Sequence, residues 1–72
     1  MDTYTNNYKT YNVESVSYDG TIINVNGTSI TDLELMGKNM PKPHKMDGYS
    51  VELDGEEYLF DTFDKAYQFA IK

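Results

Sequence analysis

Three dipeptides, Asp19-Gly20, Asn26-Gly27 and Asp54-Gly55, each stand between β-prone segments in which apolar residues recur in part at every second position. Alternation with period two around a dipeptide that accepts positive φ is the signature of a two-residue hairpin. Asp19-Gly20 then pairs Tyr18 with Thr21, Val16 with Ile23 and Glu14 with Val25. Asn26-Gly27 pairs Val25 with Thr28 and Ile23 with Ile30. Both registers place Val16, Ile23, Val25 and Ile30 on one face with Tyr18 beside them, and the agreement of two independent turns predicts a three-stranded meander. Asp54-Gly55 predicts a further hairpin in which Leu53 meets Glu56, Val51 meets Tyr58 and Tyr49 meets Phe60 on the core side. The same count sets Glu52 opposite Glu57 and Ser50 opposite Leu59 on the outer side.

The period changes after Asp61. Phe63, Ala66, Tyr67, Ala70 and Ile71 follow the i, i+3, i+4, i+7, i+8 spacing of an amphipathic helix, with Asp61 as the expected N-cap and Phe69 at the edge of the stripe or in solvent. Asp61 and Asp64 suit the positive end of that helix and Lys72 the negative end.

Between the meander and the second hairpin, Thr31 and Glu34 stand at capping-box spacing and Gly37 is placed to close a helical turn; continuation of the strand through Leu33 and Leu35 is the competing reading. Residues 37–48, GKNMPKPHKMDG, read as a loop because Pro41 and Pro43 block helix and central strand alike. Residues 1–10 are polar and rich in Thr and Asn, and are expected to form a polar N-terminal tail. Tyr4, Tyr8 and Tyr11 either pin that tail to the domain or form an exposed aromatic arm. The predicted fold is α+β: a small antiparallel sheet of about five strands (three-stranded meander, loop, hairpin) with one C-terminal helix on its apolar face, in a single domain over residues 11–72.

Composition narrows what such a domain does. A chain of 72 residues buries a thin core, and without cysteine it has no disulfides and no Cys-ligated zinc. Twelve acids against six lysines give a formal charge of −6, which opposes direct binding to nucleic-acid phosphates or anionic membranes. The apolar runs are too short to span a bilayer, and a cytoplasmic location is expected. Arginine is absent while Lys, Asn, Tyr and Ile are plentiful, a bias of AT-rich coding that hints at a phage, mobile element or low-GC host.

Side-chain catalysis needs a nucleophile, a tuned acid or base and an orienting group. The one imidazole, His44, lies in the Pro/Lys loop, and no P-loop, GxGxxG, GxSxG or HExxH string occurs. No catalytic residue, cofactor or metal ligand is therefore assigned. Glu52, Asp54, Glu56 and Glu57 crowd one hairpin, but EF-hand spacing is missing and a two-residue turn does not wrap an ion.

The densest chemical signal is charge. Seven acids and one lysine fall between residues 47 and 65. Like charges opposite one another on a sheet are unfavourable; either solvent screens the Glu52–Glu57 pair, or Glu52, Asp54, Glu56, Glu57, Asp61 and Asp64 form a carboxylate surface for a partner's lysines and arginines. Met40, Lys42, His44 and Met46 in the loop make a second candidate contact, adaptable and positively charged.

The expectation is a small non-enzymatic protein that binds and inhibits a larger basic protein, such as a nucleic-acid-binding enzyme. In size, charge and class it resembles the DNA mimics and other small inhibitors that phages direct at host enzymes, and such a protein would act in the host cytoplasm. The alternative is a structural or accessory protein that forms a homodimer through a sheet edge or the Met-rich loop.

Overall fold

The computed structural model describes residues 2–72. Its elements run β1 (Asp2–Asn6), β2 (Lys9–Val13), β3 (Ser15–Val16), β4 (Ile22–Val25), β5 (Thr28–Asp32), α1 (Leu33–Lys38), β6 (Tyr49–Leu53), β7 (Glu56–Phe60) and α2 (Phe63–Ala70). β3 to β7 form a five-stranded antiparallel sheet in sequence order, and β1 with β2 forms a separate two-stranded sheet. This is a small α+β fold with its C-terminal helix on the sheet, as the hydrophobic pattern predicts.

Two of the three expected turns form as two-residue loops. Asn26-Gly27 and Asp54-Gly55 both take positive φ at each position, and the pairings Ile23–Ile30, Val25–Thr28, Val51–Tyr58 and Glu52–Glu57 all occur. The Asp19-Gly20 connection differs. Val16 does pair with Ile23, but Asp19 keeps negative φ and its carboxylate gathers the Ser17 and Thr21 hydroxyls and the Thr21 N–H at 2.7–3.1 Å. The side-chain cap widens the turn, so Tyr18 projects fully into solvent instead of joining the core face. The expected Glu14–Val25 pair is also lost: the Glu14 N–H donates to the Asn24 carbonyl, which already faces Ser15, so the chain bulges there.

The polar tail expected over residues 1–10 is corrected. Met1 lies outside the described residues, while Asp2–Asn6 pairs with Lys9–Val13 through a tight turn at Asn7-Tyr8, both with positive φ. Alternation along this hairpin turns Tyr4 and Tyr11 inward, and Tyr11 and Val13 are buried. Of the two readings of these residues, pinning holds for Tyr4 and Tyr11, whereas Tyr8 sits at the turn fully exposed.

Phe63 lies at the centre of the result, with 0 % exposure. Its ring sits 4.7 Å from Tyr4, 4.9 Å from Tyr11, 5.6 Å from Tyr49 and 6.0 Å from Tyr67. Offset and edge-on packing of this kind adds about 0.5–1.5 kcal/mol per pair beyond area burial. Ile23, Ile30 and Val51 from the sheet and Ala66 and Ala70 from α2 complete the core. Phe69 packs on Tyr58 and Phe60 at the edge of the helical stripe.

Both helix caps fall one residue after the expected ones. Asp32 caps α1 by accepting the Leu35 N–H at 3.2 Å, and Thr62 caps α2 by accepting the Lys65 N–H at 3.2 Å. The helical reading of residues 31–37 therefore holds over the strand alternative, but starting from Asp32. No helix of the described residues is long and apolar enough to cross a membrane.

Candidate partner-binding surface

The outer face of the sheet is built by register. Ser15, Asn24, Ser29, Glu52 and Glu57 stand side by side in one row across all five strands, and Ile22, Thr31, Ser50 and Leu59 form the next row across four of them. In the first row the Asn24 amide donates to the Ser15 hydroxyl at 2.9 Å, and the Ser29 hydroxyl donates to Asn24 Oδ1 at 2.7 Å. The polar row satisfies itself up to Ser29 and ends in two carboxylates.

Counted from the Asp54-Gly55 turn, Leu53–Glu56 is the hydrogen-bonded pair that closes the loop. Glu52–Glu57 is the next, non-hydrogen-bonded pair, whose side chains approach more closely. Both glutamates are exposed, and neither has an ion-pair partner among the described residues. Asp54 sits at the turn beside them. Leu59, in the adjacent row, is 68 % exposed, the most exposed aliphatic side chain of the described residues.

The other acids named from sequence go elsewhere. Glu56 belongs to the core-side row and accepts the Tyr58 hydroxyl at 3.0 Å. Asp61 lies just past the far end of β7, about 20 Å from the Asp54-Gly55 turn at about 3.3 Å per residue. There it pairs with Lys65 at 3.0 Å and shares a hollow of about 230 Å³ with Asp32, Glu34 and Asp47. Asp64 accepts the Lys9 ammonium at 3.1 Å and the Tyr11 hydroxyl at 2.9 Å, clasping the N-terminal hairpin to α2. The Lys9 and Tyr11 hydrogen bonds hold its carboxyl below the ordinary carboxylate range. The Lys65 partner does the same for Asp61.

The loop over residues 39–48 folds back on α1. The His44 N–H donates to the Gly37 carbonyl at 3.0 Å, and a Cβ on Gly37 would collide with the His44 carbonyl oxygen. Met40 and Met46 are half-buried, Lys42 and His44 exposed. His44, Lys45 and Met46 line a hollow of about 410 Å³ together with Glu34, Lys38 and Asp47. Among the described residues no group of three or more His, Asp or Glu side chains is arranged to hold a metal ion.

The structure thus brings Glu52, Glu57 and Asp54 together at one end of the hairpin and separates them from Glu56, Asp61 and Asp64. Sequence reasoning missed the second acidic grouping because Asp32 and Glu34 reach Asp61 only through the β5–β6 pairing. It also passed over Leu59, whose outer-side place follows from the Ser50–Leu59 pair.

Together these features define a small acidic α+β protein with an antiparallel sheet. No family model, curated protein or solved structure matches the chain.

Proposed function

We propose that this is a non-catalytic binding protein that acts in the cytoplasm and inhibits a larger basic protein by docking the outer face of the β6–β7 hairpin on it. The observation that carries the reading is the Glu52–Glu57 pair. Two carboxylates set opposite each other cost the isolated sheet a fraction of a kcal/mol up to about 1 kcal/mol. A partner's lysine or arginine between them turns that cost into attraction. The exposed Leu59 supplies an apolar neighbour, so charge steers the encounter and the leucine adds buried area. A nucleic-acid-binding enzyme fits the partner class, because its own ligand is polyanionic.

The test replaces both residues, Glu52→Gln with Glu57→Gln. The fold should gain up to about 1 kcal/mol in denaturant unfolding, as the like-charge term is removed. Affinity for the partner captured by the wild-type chain should fall at least tenfold, together with the slope of affinity against salt. An unchanged affinity sinks the proposal. Self-association through the sheet edge is the competing function, and sedimentation velocity separates the two: a dimer insensitive to salt would favour it.

A further inference from the structure

The two edges of the five-stranded sheet are finished differently. At one edge β3 has two residues, the Glu14–Ser15 bulge opens it, and β1 runs alongside it. Short strands, bulges and covering segments are the usual means of closing an edge to other chains. At the other edge β7 has five residues, each in regular register with β6 and with no bulge, lysine or proline. Because Glu56, Tyr58 and Phe60 direct their backbone groups to β6, those of Glu57 and Leu59 point outward. These outward groups have no partner among the described residues.

We propose that β7 is a docking edge for an extended basic segment of the partner, which adds to the sheet as a sixth strand. This rests on the function proposed above and names how the same face is engaged. Charge selects the occupant. A second copy pairing antiparallel about Tyr58 would set Glu57 against Leu59 and Glu56 against Phe60, and would bring two acidic hairpins together. A strand with lysine or arginine opposite Glu57 and an apolar residue opposite Leu59 meets matching groups at both positions. The main-chain hydrogen bonds supply affinity, and the alternating side chains supply selectivity. In an antiparallel strand the preferred order is apolar, any residue, basic.

The probe is the synthetic ten-residue peptide VTKTVTKTVT, in which valine and lysine alternate along one face with threonine between them, and the control is VTETVTETVT, with glutamate in place of lysine. Amide exchange followed by NMR should slow more than tenfold at Glu57 and Leu59 with the lysine peptide and stay unchanged with the control. Leu59→Pro removes an outward N–H and leaves the β6 ladder intact, whereas Leu59→Ala keeps that N–H. The proline variant should bind the lysine peptide at least tenfold more weakly than the alanine variant. Should the proline variant fail to fold, the exchange measurement on the wild-type chain decides alone.

Absence of protection at Glu57 and Leu59 overturns the inference, as does equal binding by the two variants. Equal protection by the glutamate peptide overturns it too, and so does protection that rises with protein concentration in the absence of peptide, the mark of a second copy on this edge. If the partner binds Leu59→Pro normally but loses affinity to Glu52→Gln with Glu57→Gln, the carboxylate surface stands and strand addition falls. If neither change matters, both readings fail.

Discussion

A single methyl group tests how the lysine loop is held. Gly37 is buried in α1 with the His44 carbonyl against it, so Gly37→Ala must displace backbone and not merely a side chain. Overpacking of this kind costs about 1–3 kcal/mol. Thermal unfolding should show that loss even though alanine is the better helix former, and an unchanged midpoint would mean that the loop yields freely. A second test at this scale is the Asp64 clasp. Asp64 titrates below the ordinary carboxylate range, so its contribution is complete above about pH 4, the unfolded value, and disappears as pH falls through the lower folded value. Lys9 is shifted up by its hydrogen bond to Asp64, and the Tyr11 phenol by burial and then by the same carboxylate. Their contributions are complete below about pH 10 and are lost as pH rises through the raised folded values. The midpoint of thermal unfolding should therefore drop at both extremes, and Asp64→Asn should flatten both limbs.

At the scale of elements, the N-terminal hairpin is the part that most separates structure from sequence. Sheet and helix were legible because Asn-Gly and Asp-Gly state their turns outright, and because two registers agreed on Ile23 and Val25. The first hairpin turns instead on Asn7-Tyr8, where Tyr8 takes φ 66°, a conformation that costs most side chains about 1–2 kcal/mol. A signal was present in the alternation of Tyr4 and Asn6, and of Lys9, Tyr11 and Val13, on either side of that turn. The partners that make the hairpin worth forming lie far along the chain, in Tyr49, Phe63, Asp64 and Tyr67. For the candidate surface, the Glu52–Glu57 pairing could be counted from one turn. The same count already put Glu56 on the core side, and Asp61 meets a lysine only four residues on. The place of Asp64 could not be read, because its partners Lys9 and Tyr11 lie more than fifty residues away. Tyr4→Ala with Tyr11→Ala should cost several kcal/mol, since each large side chain removed from a packed site costs about 3–5 kcal/mol. A dispensable tail would leave the denaturant midpoint where it was.

At the scale of the whole molecule, a stability of only about 5–15 kcal/mol, usual for single domains, leaves little margin. Phe63→Ala should leave the chain largely unfolded by far-UV circular dichroism at 25 °C, because the ring holds both layers together. Charge acts at this scale as well. With −6 on a short chain, association with a basic partner should slow steeply as ionic strength rises, while dissociation changes less. Stopped-flow mixing over a salt series checks that split.

The clasp between the ends of the chain also orders events in time. Lys9 and Tyr11 find Asp64 across separations of 55 and 53 residues, whereas each hairpin of the sheet closes on its immediate neighbour. Loops that long are slow to close, and contacts of high sequence separation set the pace of folding. The meander and the β6–β7 hairpin can therefore assemble early, with their apolar face still open. The aromatic cage then shuts in the slowest step, and tyrosine fluorescence should lag behind backbone circular dichroism during refolding.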